Sequence, residues 1–330
     1  MSIKIKLIFL FLSIATLGAA QNLSALIIDG QNNHDMWPKT TMMMRQYLME
    51  AGFEKVDIVR TQYTWRGEKY LAEYSLADKK YEALEQPKAD PAYKPDFEKY
   101  DLVLTNFGWR AAPWPASTQK AFETYLENGG GLVVVHAADN SFPEWPAYNK
   151  MIGLGGWGGR TEKDGPYVYY DDQGKLQRDF SEGRGGSHGP QHEYKVKIRR
   201  KHPITKGMPK EWLHAQDELY DRLRGPAENM KVLATAYSSA EYKGTQRHEP
   251  ILMVLRYGKG RIFHTPMGHA DYSMECVGFI TSLQRGAQWA ATGKIKMKKL
   301  PKDFPSATQT RSRAYTKKEW FLDKSRGLDR

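Results

Sequence analysis

The chain has a single cysteine, Cys276, among its 330 residues. That excludes an intrachain disulfide and a zinc site built from cysteines, so stability has to come from packing. Beyond its first twenty residues it also lacks any apolar run approaching the roughly 20 residues of a membrane-spanning helix. An even charge balance is missing too, because the formal net charge is +11. The excess is local. Residues 294–330 carry twelve Lys/Arg against four Asp/Glu, a net of +8, and residues 1–20 add +2, which leaves +1 for residues 21–293. A nearly neutral body gives no electrostatic footprint for nucleic acid, and the basic stretch at 294–330 reads as an extension draped on the surface.

At the N-terminus, Lys4 and Lys6 precede an apolar run from Leu7 to Leu17 that closes with Gly18-Ala19-Ala20. This is the pattern of a secretory signal peptide over residues 1–20, cleaved after Ala20. The expectation is an exported, periplasmic protein whose mature chain forms one α/β domain over residues 21–293.

That domain opens with an apolar strand, Ser24 to Asp29, and a helix whose Met44, Tyr47, Leu48 and Ala51 recur at helical spacing. Pro38 suits the first turn and Gly52 the end. A second strand, Val56 to Val59, completes the start of a parallel α/β sheet. A polar, tyrosine-rich insertion over about 61–95 follows, with a short helix expected near Glu68 to Leu84, and its length suggests a lid or rim over a site. Strands return at Tyr100 to Asn106 and at Leu132 to His136, the latter with the unbroken β-branched character of a strand buried on both faces. Between them a helix from about Pro115 to Asn128 ends at Gly129-Gly130-Gly131. Asn32, Asn106 and His136 then fall just past the carboxyl ends of strands, where such sheets bind ligands. The glycine pattern Gly153-x-Gly155-x-x-Gly158 does not lie between a strand and a helix, so it is discounted as a dinucleotide site. Later strands are expected at 194–198, 232–236, 251–255 and 261–265, with a last helix from about Ser273 to Ala291. Cys276 lies on the apolar stripe of that helix and reads as core.

Histidine and carboxylate chemistry is concentrated around Ser187-His188-Gly189-Pro190-Gln191-His192-Glu193. Gly189-Pro190 forbids the helical geometry that would put His188 and His192 on one face, so the stretch is a shaped loop. In Asp217-Glu218, extended backbone would send one carboxylate inward and one outward. His202 and His248 sit in turns and read as surface residues.

Several motifs in one order resemble a known family, the trehalose-utilisation (ThuA-like) proteins. They are Ile28-Asp29-Gly30, the Gly130 to Ala138 segment, His202-Pro203-Ile204-Thr205-Lys206-Gly207, Asp217-Glu218-Leu219-Tyr220, and Gly260-Arg261 to Gly268-His269. The resemblance spans about residues 24–293. It implies the fold of the class I glutamine amidotransferases, a flavodoxin-like three-layer α/β sandwich with a mostly parallel central sheet. It also implies a role in carbohydrate metabolism, with keto-sugars derived from glucosides as the substrate class. In the amidotransferases a nucleophilic cysteine follows the strand matching 132–136. Here that position falls on or near Ala137, which argues against glutamine hydrolysis through a thioester. His269 matches the place where such folds carry a catalytic histidine.

The expected activity is therefore isomerisation or cleavage next to a carbonyl of a sugar or keto-glycoside. His136, His188, His192, Glu218 and His269 are the candidate acids and bases, since imidazole titrates near neutral pH. Asn32, His34, Trp37, Trp109, Trp157 and Arg160 are candidate sugar-facing residues, by hydrogen bonding or by stacking. A divalent metal, zinc or manganese, on His136, His188 or His192 with a carboxylate is a variant that the ligand spacing does not single out. The alternative from another class is a non-catalytic carbohydrate-binding protein on the same fold. The expected partner is a small-molecule carbohydrate, with no nucleic acid and no transmembrane segment. A homo-oligomer is compatible with the sequence.

Overall fold

The computed structural model describes residues 22–76 and 81–317, so the expected signal peptide at 1–20 and the end of the basic extension lie outside the described residues. The first half of the chain alternates strands and helices: β1 (Leu23–Gln31), α1 (Trp37–Glu50), β2 (Phe53–Trp65), α2 (Glu68–Glu73), β3 (Glu82–Leu84) and β4 (Leu102–Thr105). It continues with α3 (Ala116–Glu127), β5 (Gly131–Val135), α4 (Pro146–Ile152), β6 (Tyr167–Tyr170), β7 (Leu176–Asp179) and β8 (Ser187–His188). The remainder is mostly strand: β9 (His192–Ile198), β10 (Glu211–Asp217), β11 (Tyr220–Asp221), β12 (Lys231–Tyr237), β13 (His248–Tyr257) and β14 (Gly260–Thr265). Two helices, α5 (Asp271–Met274) and α6 (Val277–Thr292), follow.

The central sheet runs β10-β9-β12-β13-β14-β5-β4-β1-β2-β3, with β6 and β7 branching from β13. From β14 to β3 every neighbouring pair is parallel, and the antiparallel strands extend that block on the β14 side. Helices cover both faces, which gives the three layers of an α/β sandwich. On one face the apolar residues of α1 and α6 (Met43, Tyr47, Leu48, Phe279, Leu283) pack under β1, β4 and β5. On the other, Phe122 and Tyr125 of α3, Tyr148 of α4 and Trp145 just before it join Phe97, Phe107 and Trp114 in an aromatic layer. Leu132, Val133 and Val134 are fully buried between these layers, as their β-branched run requires. Each such side chain contributes roughly 1.5–3 kcal/mol of hydrophobic free energy.

Two readings of the insertion are corrected. β2 runs on to Trp65, and among the described residues of the expected helix only Glu68–Glu73 is helical, because Glu82–Leu84 instead pairs in parallel with β2 as the sheet edge. Nor, among its described residues, does the segment cover the site as a lid. Tyr63 and Lys88 accept hydrogen bonds from the Gln31 side chain, which ties the insertion down beside β1. Past α6, the chain up to residue 317 lies against the body: Leu213 N–H donates to Ser306 O, Val277 N–H to Arg311 O, and Phe304 packs on Trp212.

The chain order around β1 decides where function can sit. β1 is followed by β2 on one side, and the chain then crosses to β4 on the other. The carboxyl ends of β1 and β4 therefore diverge into a crevice, the topological switch point at which open α/β sheets bind ligands.

Candidate functional site

Four segments deliver side chains to that crevice. His34 follows β1, His136 follows β5, His269 follows β14, and Glu218 comes from the turn between β10 and β11. One donor atom from each lies within 4.8 Å of all the others. The Glu218 carboxylate is the centre: its Oε2 is 3.0 Å from His269 Nδ1, 3.7 Å from His136 Nε2 and 3.8 Å from His188 Nε2. The short approach of His269 Nδ1 is not along a hydrogen-bonding direction, and that nitrogen is otherwise without a partner.

His136 stands on a sharp turn between β5 and the short 3-10 turn His136–Asn140, with φ of +47°. A left-handed conformation costs a non-glycine residue roughly 1–2 kcal/mol, so the surrounding contacts have to hold this turn in place. The turn falls next to Ala137, the position expected from the resemblance. The residue with positive φ is His136, so the turn after β5 presents an imidazole. Its Nδ1 donates to Pro266 O at 2.7 Å, which leaves the Nε2 lone pair facing the cluster, where the Tyr220 hydroxyl donates to it at 2.9 Å. His34 is oriented the same way. Asn32 donates to the Asn106 and Phe107 carbonyls, and its Oδ1 accepts from His34 N–H and, at 3.0 Å, from Nδ1–H. Burial, helped by the neighbouring histidines, pushes His34 down to about 3 and holds His136 well below the ordinary imidazole value. Both rings are therefore neutral, with lone pairs aimed at one place.

Behind the cluster Asp217, fully buried, accepts four hydrogen bonds. Its Oδ2 takes Gly268 N–H at 2.7 Å and His214 Nε2–H at 2.8 Å, and its Oδ1 takes Glu218 N–H at 2.9 Å and His269 N–H at 3.0 Å. The inward carboxylate thus fixes the turn that presents Glu218 and His269, while Glu218 faces the site.

The cluster opens into a cleft of about 300 Å³ lined by Asn33, His34, Trp109, Asn140, Trp157, His188, Glu218 and Tyr220. Trp157 lies edge-on to Tyr220 at 4.8 Å, and His188 stacks over the same ring at 5.9 Å. Two glycine-rich loops make this wall. Trp157 N–H donates to Gly185 O, and a Cβ on either Gly156 or Gly186 would lie 2.7–2.8 Å from the other's Cα. Only glycine lets the loops meet so closely.

The structure gathers His34, His136, His188, Glu218 and His269, with Trp109 and Trp157 on the cleft walls. It does not bring in His192, whose ring stacks flat on Tyr242 at 3.7 Å while its Nδ1 donates to Pro190 O. Strand alternation explains this: β9 begins at His192 and turns that side chain off the site. Arg160 is also corrected. It is buried, and its guanidinium is used up on Gly156 O, Ser141 O and Asn149 Oδ1, holding the loop that carries Trp157. Trp37 borders the narrow recess under His34, but its indole N–H is spent on Trp65 O and Arg66 O and its face on Arg60. Asn32 acts through His34. The roles of Tyr220 and Asp217 were not assigned from sequence, although both lie in the Asp217-Glu218-Leu219-Tyr220 stretch.

Three imidazoles and a carboxylate are a donor set that suits a divalent cation such as zinc or manganese. The neutral rings and the carbonyl and amide groups behind His136 and His34 are the supports that metal ligands need. Tyr220 shares the Nε2 lone pair of His136, so its hydroxyl and a cation compete for that atom. Of the metal ligands expected from sequence, His136 is in this set, His188 is at its rim and His192 is outside it.

Comparison with known proteins bears on the family and the fold. Among curated proteins, none is similar enough to match. Among solved structures, the chain is similar to a ThuA-like protein from Parabacteroides merdae, with 44% identity and a TM-score of 0.77 over 89% of this chain and 98% of that one. It shares the fold of a ThuA-like protein from Bacteroides uniformis, with 20% identity and a TM-score of 0.51 over 83% and 93% of the two chains. The ThuA family, described as trehalose utilisation, matches residues 24–290, and the chain belongs to that family.

Proposed function

We propose that the protein is an exported carbohydrate-processing enzyme that moves a proton at a carbon next to a carbonyl of a sugar or keto-glycoside. Family membership suggests the carbohydrate-related role. The observation that carries the chemistry is the convergence of His34, His136, His269 and Glu218 within 4.8 Å at the switch point. In this reading Glu218 takes the proton from the carbon, and the electron pair moves onto the carbonyl oxygen. His188, half-exposed on the cleft wall, returns a proton to that oxygen. Reversal at the neighbouring carbon gives isomerisation, whereas loss of a β-oxygen substituent, protonated as it leaves, gives cleavage. Trp109 and Trp157 offer faces for the apolar side of a pyranose. A divalent cation on the three histidines would supply Lewis-acid polarisation of a substrate oxygen, with Glu218 left to take the proton.

Purified protein would be assayed on a panel of 3-keto-glucosides with and without added zinc or manganese, alongside its metal content. We expect turnover, and a loss of about 10²–10⁴-fold in Glu218→Gln, the usual weight of a general base. Unchanged turnover in Glu218→Gln would refute the role of Glu218. Calorimetric sugar binding with no turnover of any substrate would support the non-catalytic alternative. Export rests on the Lys4 to Ala20 pattern and predicts a mature chain beginning at Gln21, read by N-terminal sequencing of protein from the periplasm.

A further inference from the structure

The opposite edge of the sheet carries a larger groove, of about 1020 Å³, between the end of β9, the turn after it and the segment following α6. Lys201, Lys206, Lys210, Lys294 and Lys298 line it together with Arg285, and no acidic residue does. Among the described residues none of these cations forms a salt bridge with a carboxylate, although exposed lysines commonly find one.

Arg285 sharpens the point. It projects from α6 and is 1% exposed. Its Nη1 donates to Ile204 O and Lys206 O, but Nε and Nη2 have no partner. A buried guanidinium is normally paired, because leaving a charged donor unsatisfied costs more than an ordinary lost hydrogen bond. The lysines are not needed to cap α6 either, since Arg261 already donates to the carbonyls of Trp289, Ala290 and Ala291. Beside the cations, His202 and Thr205, the lining has an apolar part: Ile198, Pro203, Met208, Ile295 and Met297.

We propose that this groove is a second binding site, for an anionic amphiphile. Its carboxylate or phosphate head would sit among Arg285 and the lysines, and its apolar body on Ile198, Met208, Ile295 and Met297. Such a ligand satisfies both halves of the lining, whereas a neutral sugar satisfies neither. The site is independent of the histidine cluster, which lies at the other end of the strands.

The test is calorimetric titration of the whole protein with dodecanoate, dodecanol, inorganic phosphate and acetate, and co-sedimentation with phosphatidylglycerol or phosphatidylcholine vesicles. We expect saturable one-site binding of dodecanoate, at least tenfold tighter than dodecanol, phosphate or acetate. Lys206→Gln/Lys294→Gln, both exposed and so compatible with folding, should weaken it by about tenfold, and Arg285→Lys should retain more affinity than Arg285→Gln. Sedimentation with phosphatidylglycerol but not phosphatidylcholine, lost in the lysine variant, would identify a lipid headgroup as the source of the anion. No saturable binding of dodecanoate or of anionic vesicles would overturn the proposal. So would phosphate binding as tight as dodecanoate, or lysine variants that bind like the parent.

Discussion

Asp217→Asn is the most informative single change, because it keeps the shape of the side chain and removes only its charge and one acceptor. The carboxylate accepts two donors on each oxygen: Gly268 N–H and His214 Nε2–H on one, Glu218 N–H and His269 N–H on the other. An amide keeps one oxygen, so whichever way it is placed, its NH₂ faces two donors. Hydrogen bonds to a charged group contribute about 1.5–3 kcal/mol each, which puts the loss at about 3–6 kcal/mol. If His214 shifts its proton to Nδ1, one bond is recovered and the loss falls to about 1.5–3 kcal/mol. Either value is a large part of a typical stability of about 5–15 kcal/mol. Urea denaturation should show the loss as a lower midpoint. Because the same carboxylate fixes the backbone under Glu218 and His269, zinc or manganese affinity at the cluster should fall as well, and the pH profile of turnover should change shape. An Asp217→Asn protein with the parent's midpoint and the parent's metal affinity would show that the carboxylate does not hold this turn.

Three further outcomes follow from buried groups elsewhere. Burial pushes Glu249 up to about 7, with the Thr245 hydroxyl donating to it and Asp221 nearby. A carboxyl whose folded value is raised loses stability as pH climbs from its unfolded value near 4.5 through 7, by about 3 kcal/mol in all. Glu249→Gln should therefore be more stable than the parent at pH 8 and no more stable at pH 4, read from melting curves across that range. Arg60 and Asp29 form a fully buried bidentate pair at 2.9 Å. Arg60→Met should cost about 3–5 kcal/mol by stranding Asp29, and Asp29→Leu in the same chain should recover part of it; equal losses in the single and double variants would contradict this. Cys276 is buried between His214 and the segment at 310–312, so a thiol reagent should titrate it only after denaturation.

The parts of the fold legible in sequence are those with strong periodicity. The run Leu132 to Val135 could only be a doubly buried strand, and Met44, Tyr47 and Leu48 could only face a core. What sequence did not expose depends on contacts made across the fold. The third strand at the sheet edge, Glu82–Leu84, has no pattern of its own and exists because β2 runs long enough to pair with it. The same holds at the site. His136 and His269 were recognisable because strand ends at the carboxyl edge are where such sheets place chemistry. From sequence His34 reads only as a sugar-facing loop residue, because its partners, His136 and His269, are supplied by segments more than 100 residues away. His192 and Arg160 were read as site residues from their neighbours in the chain, and side-chain direction sent one onto Tyr242 and the other into a loop core.

The division of labour within the sheet explains why this site differs from a nucleophile elbow on the same scaffold. The parallel block supplies the three histidines from the ends of β1, β5 and β14, all pointing into one crevice. Here the carboxylate comes from the antiparallel extension, through the turn between β10 and β11, and Asp217 stitches that turn to Gly268 and His269 at the end of β14. The β10 turn therefore has to be docked for the site to exist at all. A perturbation of the β10 to β11 segment remote from the cleft should then lower metal affinity and turnover together, whereas truncating Trp157 at the cleft wall should raise KM and leave metal affinity unchanged. Observing the reverse pattern would mean that the histidines, and not the composite with Glu218, form the working unit.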